Sequence, residues 1–253
     1  MRASEPTSIR TGNARSVIEL DIAEILPSFP DVRIALVATG ELDLSSPRPA
    51  ALDAALDEVV ETAAAALDGC ALAELPALRT WRAAYKAFGV RKTSYRSSVE
   101  RLLKQVRQGR GLPRVHVLVD CYNAVSIRHR VPVGADDLAR VRPPLAFRHA
   151  RPGDTFFALG DPAARNDPPK PGEVVYADAE KVLCRRWNWY QDARSAITPA
   201  TRRAVLTVQS LGGGTDPEEA VADLARWLRD WCGAATAWAI AEAATPRVRV
   251  DPP

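Results

Sequence analysis

The chain lacks most of the features that identify an enzyme class from sequence. Its four cysteines, at positions 70, 121, 184 and 232, are scattered, with no CxxC motif and no Cys/His pair at ligand spacing. A zinc site or a disulfide framework is therefore not expected. No apolar run approaches the roughly 18 residues that a membrane span needs, and the polar residues 1–14 do not resemble a secretory signal. We expect a cytoplasmic protein with buried thiols, and no membrane partner, metal or other cofactor.

Motifs for a nucleophile or a phosphate-binding loop are also missing. The sequence contains no GxSxG, GxGxxG, HExxH or Walker motif, and none of its three histidines is paired at a catalytic spacing. The GGG run at 212–214 lacks the GK[ST] ending of a phosphate loop, so we interpret it as a turn. An enzyme of this composition would have to position a substrate and a water molecule instead of attacking the substrate covalently.

Positive charge is concentrated in one part of the chain. The net charge is +3, but residues 1–75 contain five Arg/Lys and thirteen Asp/Glu, so they carry −8 and the rest carries +11. The densest stretch, residues 91–110, has seven basic residues and one acid, Glu100. This asymmetry is typical of a face that meets a polyanion, although a solvated helix surface is an alternative for a single basic helix. The candidate nucleic-acid contacts are Lys92, Arg96, Arg101, Lys104 and Arg107.

Hydrophobic periodicity predicts an α+β fold. Runs of β-branched residues at 16–22 and 32–44 predict two strands, and apolar residues every three or four positions predict helices, one of them at 76–88. Ser97 and Glu100 predict a capping box at the start of a further helix. Downstream, short extended runs punctuated by Gly and Pro predict a mostly antiparallel sheet of short strands, followed by one more amphipathic helix.

Residues 114–129 fit both a strand and a helix, because VHVLV alternates while apolar residues also recur on one helical face. We favour a helix, since the pattern continues for the whole segment without a turn residue. Asn123 and Ser126 would then lie near one edge of the buried face. The whole pattern predicts a single domain at residues 15–235, in which amphipathic helices pack on the sheet, with a disordered segment at 1–14 and a C-terminal extension at 236–253.

Aromatic and basic residues are collected in RRWNWYQDARSAIT, residues 185–198. Tryptophan can stack on a base, which contributes roughly 1–3 kcal/mol per base, and arginine can bind a phosphate through two parallel hydrogen bonds. The alternative is that this segment belongs to the core. Because successive strand residues face opposite sides, part of this segment should face the core. We expect at least one of Trp187 and Trp189 to be core and the rest to line a ligand site.

Four blocks of the sequence resemble, in the same order and spacing, the B3/B4 editing domain of the phenylalanyl-tRNA synthetase beta chain. LVDCYNAVSIRHRVPVGADDL (118–138) is similar to "VDVTNYV…QPLHAFDL", and LAFRHARPGDTFFALGD (145–161) is similar to "VRRAKEGE…LDG". GEVVYAD (172–178) resembles "DLVIAD", and ARSAITPATRRAVLTVQSL (193–211) resembles "ESAVTEETKNVLLE". Upstream, residues 81–106 and the RRWNW segment resemble shorter, free-standing relatives of that domain. The resemblance covers most of residues 76–232.

This resemblance implies an editing hydrolase that cleaves the ester between a wrong amino acid and the terminal adenosine of a tRNA. A free-standing copy would act in trans, and the attacking water would be oriented by backbone groups, polar side chains and the hydroxyls of the tRNA. The family's motif asparagine falls on Asn123. Its histidine falls on Gly134, which removes one group associated with the editing site. Its glutamate falls near Asp192 or Ala193, and Asp192 is our candidate.

The resemblance and the aromatic segment together define the candidate site. Asn123 and Asp192 are the candidate catalytic residues. The candidate substrate-binding residues are Ser126, Gly134, Arg148, Gly160, Arg186, Trp187, Asn188 and Gln191. Two alternatives remain open at this point. A tRNA- or RNA-binding module that has lost hydrolysis is favoured by Gly134, and a small-molecule hydrolase or amino-acid sensor is disfavoured by the basic half of the chain.

Overall fold

The computed structural model describes residues 17–44, 47–92 and 94–253, and the segment expected to be disordered, residues 1–14, lies outside them. The strands are β1 (Ile18–Asp21), β2 (Arg33–Thr39), β3 (Val133–Asp137), β4 (Leu145–His149), β5 (Val174–Ala177), β6 (Val182–Arg185), β7 (Tyr190–Gln191), β8 (Ala204–Ser210), β9 (Thr236–Ala241) and β10 (Arg247–Val250). The α-helices are α1 (Ala50–Ala66), α2 (Pro76–Ala87), α3 (Ser98–Arg107), α4 (Val117–His129) and α5 (Pro217–Cys232).

The strands form two sheets rather than the one that was expected. The first has six strands in the order β10-β1-β4-β5-β6-β7, and the second has four in the order β3-β8-β2-β9. Neighbouring strands are antiparallel except β1 and β4, which pair in parallel. The α+β class and the mostly antiparallel pairing are therefore confirmed.

The C-terminal residues belong to this fold. Residues 236–253 were expected to extend beyond the domain, but β9 pairs with β2 and β10 pairs with β1. The pairing with β1 joins strands more than 200 positions apart in sequence, so the two ends of the described chain meet in one sheet. The alternating pattern of β10, in which Val248 and Val250 are buried, fits a strand with one face in the core.

The helices follow their sequence signals, with one correction. Residues 117–129 form α4, as favoured, and α5 starts with Pro217 after Asp216, whose carboxylate accepts from the Glu218 N–H. The predicted capping box at Ser97 is wrong, because the Ser97 side chain makes no cap hydrogen bond. The Glu100 carboxylate instead pairs with Arg82 (2.6 Å) and Arg96 (3.1 Å), since two guanidinium groups are stronger partners than a backbone N–H.

One aromatic cluster in the core positions the loop between β6 and β7. The Trp187 ring is fully buried and lies edge-on to Phe29 (4.8 Å between centroids) and Trp81 (5.2 Å). Rings at such distances stabilise each other beyond simple burial. Arg186 and Trp187 both have φ in the left-handed region, at 47° and 65°, so the chain reverses here and points successive side chains in different directions. In the described ranges, no helix is long and apolar enough to cross a bilayer.

Candidate active site

A cavity of about 330 Å³ lies between the two sheets, in the size range of small-molecule sites. Residues of α3, α4, β3 and β8 form one side of it, and residues of β5, β6 and β7 with the loop before β7 form the other. Its lining combines aromatic rings with amide, hydroxyl and carboxylate groups. The polar lining side chains are Ser98, Arg101, Gln105, Asn123, Asp136, Tyr176, Asn188, Gln191, Thr207 and Gln209.

Asn123 lies on the buried face of α4 and lines the cavity. Its side-chain amide makes no hydrogen bond with any residue that the structure describes. A buried amide without a protein partner is costly unless another group satisfies it. Asn123 therefore presents one donor group and one acceptor group to whatever enters the cavity.

Asp136, at the end of β3, places a carboxylate in the same cavity. Its Oδ1 accepts from the Ser195 hydroxyl (2.7 Å) and from Gln191 Nε2 (3.0 Å). No described residue donates to Oδ2. Burial raises the pKa of Asp136 to about 7, even though the bonds from Ser195 and Gln191 and the nearby Lys181 ammonium favour the charged form.

Gly134 precedes Asp136 by two positions on β3, so both face the cavity. A Cβ placed on Gly134 would have no atom within 4 Å. The absence of a side chain here therefore enlarges the space beside the Asp136 carboxylate.

A series of hydrogen bonds runs along one wall of the cavity. The Tyr85 hydroxyl donates to Asn188 Oδ1 (3.0 Å), and Asn188 Nδ2 donates to Gln209 Oε1 (2.9 Å). Gln209 Nε2 in turn donates to Thr207 Oγ1 (3.0 Å). These bonds fix the orientation of both amides. The Thr207 hydroxyl ends the series and donates to no described residue, so it is a donor for a bound molecule.

Two further hydroxyls in the lining are buried without a partner among the described residues, those of Tyr176 and Ser98. Burial raises the pKa of Tyr176 well above its usual value, and the carboxylates of Asp136 and Asp178 raise it further. The Tyr176 phenol therefore stays protonated and can act as a hydrogen-bond donor. Burial likewise raises the pKa of the Cys184 thiol in the lining, which disfavours a thiolate nucleophile.

The RRWNW segment contributes Trp189 to the aromatic part of the lining, which also includes Tyr122, Tyr176 and Tyr190. Trp189 lines the cavity and meets Tyr95 edge to face (4.8 Å). The Arg186 guanidinium lies over both rings, at 3.8 Å from Tyr95 and 4.4 Å from Trp189. Arg101 on α3 donates to the Trp189 carbonyl (2.8 Å) and also lines the cavity. The segment thus joins the cavity to the basic helix α3.

The cavity brings together only part of the predicted site. Asn123, Gly134, Asn188, Gln191 and, from the nucleic-acid set, Arg101 line it. Trp187 does not, because the left-handed backbone at positions 186 and 187 turns its ring into the core. Trp187, a predicted substrate-binding residue, is therefore the core tryptophan of the pair, and Trp189 is the one that reaches the cavity. Arg186 lies behind Trp189 and does not line the cavity.

Asp192 also lies outside the cavity lining, fully buried in the protein. Its carboxylate accepts from the Phe157 N–H (2.8 Å) and the Arg194 N–H (2.7 Å), and it pairs with the Arg194 guanidinium (2.8 Å). Both oxygens are therefore occupied in holding the loop after β7. We do not retain Asp192 as a catalytic candidate.

Three other predicted residues have structural contacts instead. The Ser126 hydroxyl donates to the Val131 carbonyl (2.6 Å) after the end of α4. Arg148 makes a two-pronged ion pair with Asp154 (2.7 and 2.9 Å). Gly160 adopts φ +81° in a turn, a conformation that favours glycine. None of the three lines the cavity.

The predicted nucleic-acid residues lie on and before α3. Lys92, Arg101, Lys104 and Arg107 are exposed, whereas Arg96 is half-buried and paired with Glu100. Lys104 and Arg107 form no ion pair with described residues. Their charge is therefore available to a partner.

The sequence reasoning missed Asp136, Thr207, Gln209 and Tyr176. A signal for Thr207 and Gln209 was present, because these polar residues alternate with the apolar Leu206 and Val208 in AVLTVQS (204–210). Such alternation in a strand buried on both faces indicates a polar cavity. Tyr176, within the apolar run VVYA, has no comparable signal.

Residues 80–215, more than half of the chain, match the family model of the B3/4 domain. The chain belongs to the B3/4 domain family. Every residue that lines the cavity lies within this B3/4 match, between Ser98 and Gln209. The strands β1, β2, β9 and β10 and the helices α1 and α5 lie outside it.

Among solved structures, the B3/4 chain is similar to an N-terminal fragment of the phenylalanyl-tRNA synthetase beta subunit from Pyrococcus horikoshii. The identity is 12 % and the TM-score is 0.45, over 88 % of this chain and 51 % of the fragment. The chain therefore spans about half the length of that fragment. No curated protein matches the chain significantly.

Proposed function

We propose that this B3/4 protein hydrolyses the ester of a mischarged aminoacyl-tRNA, by direct attack of a water molecule held in the cavity. The proposal rests on one observation above all: the cavity presents several polar groups that have no partner among the described residues, and it adjoins an exposed basic helix face. An aminoacyl-adenosine offers ester, hydroxyl and base groups to the first feature, and the tRNA backbone offers phosphates to the second.

The chemistry of the lining supports water as the nucleophile. The Cys184 thiol is held protonated, and no described serine in the lining contacts a histidine that could activate it. An aminoacyl ester is intrinsically labile, so orientation of water and stabilisation of the oxyanion are sufficient. Asn123 and Tyr176 supply donors for the oxyanion.

Release of amino acid from a panel of charged tRNAs, incubated with the purified chain, tests this function. Asn123→Ala should lower the rate about 10²-fold, because loss of one oxyanion donor has this size of effect. The fold should be intact, since the Asn123 amide makes no hydrogen bond to described residues. Asn166→Ala is the matched control, because Asn166 lies outside the cavity and binds only the Phe156 N–H.

Two other results bear on the mechanism. A tRNA whose terminal adenosine lacks the vicinal hydroxyl should bind well and be cleaved poorly, since that hydroxyl helps to hold the water. Trapping of a covalent aminoacyl-enzyme would contradict direct water attack.

The second candidate function is a tRNA- or RNA-binding module without hydrolysis. The observation that favours it is Gly134, which leaves open space where the related editing domains have a histidine. Binding of tRNA without hydrolysis of any charged species would establish this alternative.

A further inference from the structure

We infer that Asp136 is the general base of this site: its carboxylate takes the proton from the attacking water. The inference rests on the proposed function and adds a residue that neither the family motif nor the sequence pattern indicated. The motif that resembles this segment, "QPLHAFDL", has an apolar residue at the corresponding position, so the resemblance assigns no role to Asp136.

The placement of the carboxylate fits the role. Oδ1 is held by Ser195 and Gln191, which leaves the carboxylate with a fixed orientation, while Oδ2 receives no bond from described residues. The open space at Gly134 lies two positions away on the same face of β3. A water or an ester therefore has room within reach of Oδ2, and the base needs no rearrangement before it acts.

Burial, modified by the surrounding groups, raises the pKa of this carboxylate to about 7, so at physiological pH both its protonated and its ionised forms are populated. The charged groups that act on it are Lys181, which lowers its pKa, and Asp178, which raises it. The other titratable side chains that interact with it are Tyr122, Tyr176 and Cys184, and burial raises the pKa of all three, so they remain uncharged. Arg101 lines the same cavity. With a pKa of about 7, Asp136 is a stronger base than an exposed carboxylate and is still substantially ionised at pH 7.

With Asp136 as the base, hydrolysis proceeds by attack of water on the ester and then collapse of the tetrahedral intermediate. One O–H bond of the water breaks and its proton moves to Asp136 Oδ2, while the water oxygen bonds to the ester carbonyl carbon. The carbonyl oxygen becomes an oxyanion, for which Asn123 and Tyr176 supply donors. On collapse, the bond from carbon to the ribose oxygen breaks, and Asp136 returns its proton to that oxygen. The products are the free amino acid and a tRNA with an intact terminal hydroxyl.

Asp136→Asn removes the proposed base and leaves the rest of the site unchanged, because asparagine has the same shape and its side-chain oxygen can still accept from the Ser195 hydroxyl. We expect kcat on the most reactive charged tRNA to fall by about 10²-fold or more, with KM changed little. The matched control is Asp137→Asn, which changes a neighbouring buried carboxylate that lies outside the cavity lining and binds Thr201. It should retain activity.

The pH profile provides a readout that a structural role would not change. For the wild type, kcat should rise with pH with a midpoint near 7. Ser195→Ala removes a bond that favours the charged carboxylate, so it should move this midpoint to higher pH. The α-amino group of the substrate also titrates near neutrality, but its pKa does not depend on Ser195. NMR titration of the Asp136 carboxyl should give the same midpoint as the kinetics, in both proteins.

The possible outcomes distinguish the two proposals. Wild-type hydrolysis combined with full activity of Asp136→Asn, or with a midpoint that Ser195→Ala leaves in place, would overturn the role of Asp136 and leave the proposed function standing. If the wild type hydrolyses no charged tRNA, both proposals fail.

Discussion

Two regions of the molecule treat buried charge in opposite ways. On the six-stranded sheet, Arg185 makes a two-pronged pair with Glu173 (2.8 and 3.0 Å), and Lys181 pairs with Asp178 (2.7 Å). In the cavity, the hydrogen-bond partners of the buried Asp136 carboxylate among the described residues are neutral, and both bond to the same oxygen, Oδ1.

This difference distinguishes buried charges that stabilise the fold from buried polar groups that are available to a bound molecule. Where a buried charge stabilises the fold, an opposite charge or a backbone N–H neutralises it. Where a polar group is buried without such a partner, as at Asp136, Asn123 and Tyr176, the fold carries a cost that another molecule can offset. The following predictions test this contrast, beginning with the largest expected effect.

Arg185→Ala should destabilise the protein by about 3–5 kcal/mol, since it leaves the buried Glu173 carboxylate with only its longer ion pair to Arg186 (3.7 Å). Chemical denaturation measures the free energy of unfolding. Arg165→Ala is the control, because the Arg165 side chain is 80 % exposed and its ion pair with Asp161 is long, at 3.8 Å; we expect at most about 0.5 kcal/mol there. Equal effects of the two changes would contradict the structural role of the Arg185 pair.

Asp136→Asn should have the opposite effect on stability, and only at higher pH. The pKa of Asp136 is about 7 in the fold and 3.8 as its ordinary value, so the folded protein binds more protons between about pH 4 and pH 7. Wild-type stability therefore falls as pH rises through this window. Above pH 7 the asparagine variant should be more stable by on the order of 3–4 kcal/mol, and near pH 4 the difference should vanish. Denaturation across this pH range measures it.

Asp178→Asn should change stability in the opposite direction, with the opposite dependence on pH. Burial alone would raise the pKa of Asp178, but its bonds with Lys181 and with backbone N–H groups bring the pKa below the ordinary value. The carboxylate therefore adds stability above pH 4 that is lost on acidification. The variant should be less stable than the wild type at pH 7, and the two should converge in acid. A variant with the same pH dependence as Asp136→Asn would refute the contrast between the two aspartates.

Charge reversal at Lys104 and Arg107 addresses the unpaired cations outside the cavity. If both contact tRNA phosphates, the double change to glutamate should weaken binding to all tRNAs alike. The salt dependence should become shallower by about 0.7–0.9 for each lost contact. Binding titrations from low to high salt measure the slope, and Arg229→Glu on α5 is a charge reversal elsewhere that matches either single change, Lys104→Glu or Arg107→Glu. An unchanged slope would remove this face of α3 from the tRNA contact.

Gly134→Ala should have the smallest effect on stability, within about 0.5 kcal/mol, because the added methyl group meets no atom within 4 Å. It should still raise KM, since the added methyl group occupies substrate space beside Asp136. Measuring stability and KM together tests this. A large loss of stability would show that the space at Gly134 is not open.

The elements with long, regular patterns were predictable from the sequence. The helix at 117–129 follows from apolar residues that recur over the entire segment, and α5 follows from its cap at Asp216. The strands β3, β9 and β10 were not predicted, because they are short and their pairing partners are distant in sequence. Placing residues 236–253 in both sheets required knowledge of those long-range pairs.

The candidate site was predictable where a motif placed a residue on a regular element, as for Asn123 on α4. It was not predictable where one backbone angle decides direction. Alternation along a strand could not tell Trp187 from Trp189, because the left-handed residues at 186 and 187 interrupt the strand. In the sequence, Asp136 resembles an ordinary surface acid, and only the packing of the six-stranded sheet against β3 reveals its burial.

Gln191 has a consequence beyond its place in the cavity wall. From β7, in the six-stranded sheet, its Nε2 donates to the Ala135 carbonyl (2.6 Å) and to Asp136 Oδ1 (3.0 Å) on β3, in the four-stranded sheet. The Gln191 amide thus connects the two sheets by hydrogen bonds, one of which is to the proposed base. The hydrogen bond from Gln191 to Asp136 is stronger when Asp136 is ionised. The spacing of the sheets and the proton affinity of the carboxylate are therefore thermodynamically linked. Lengthening this bond would raise the basicity of the Asp136 carboxylate, because a donor that favours its charged form would be lost.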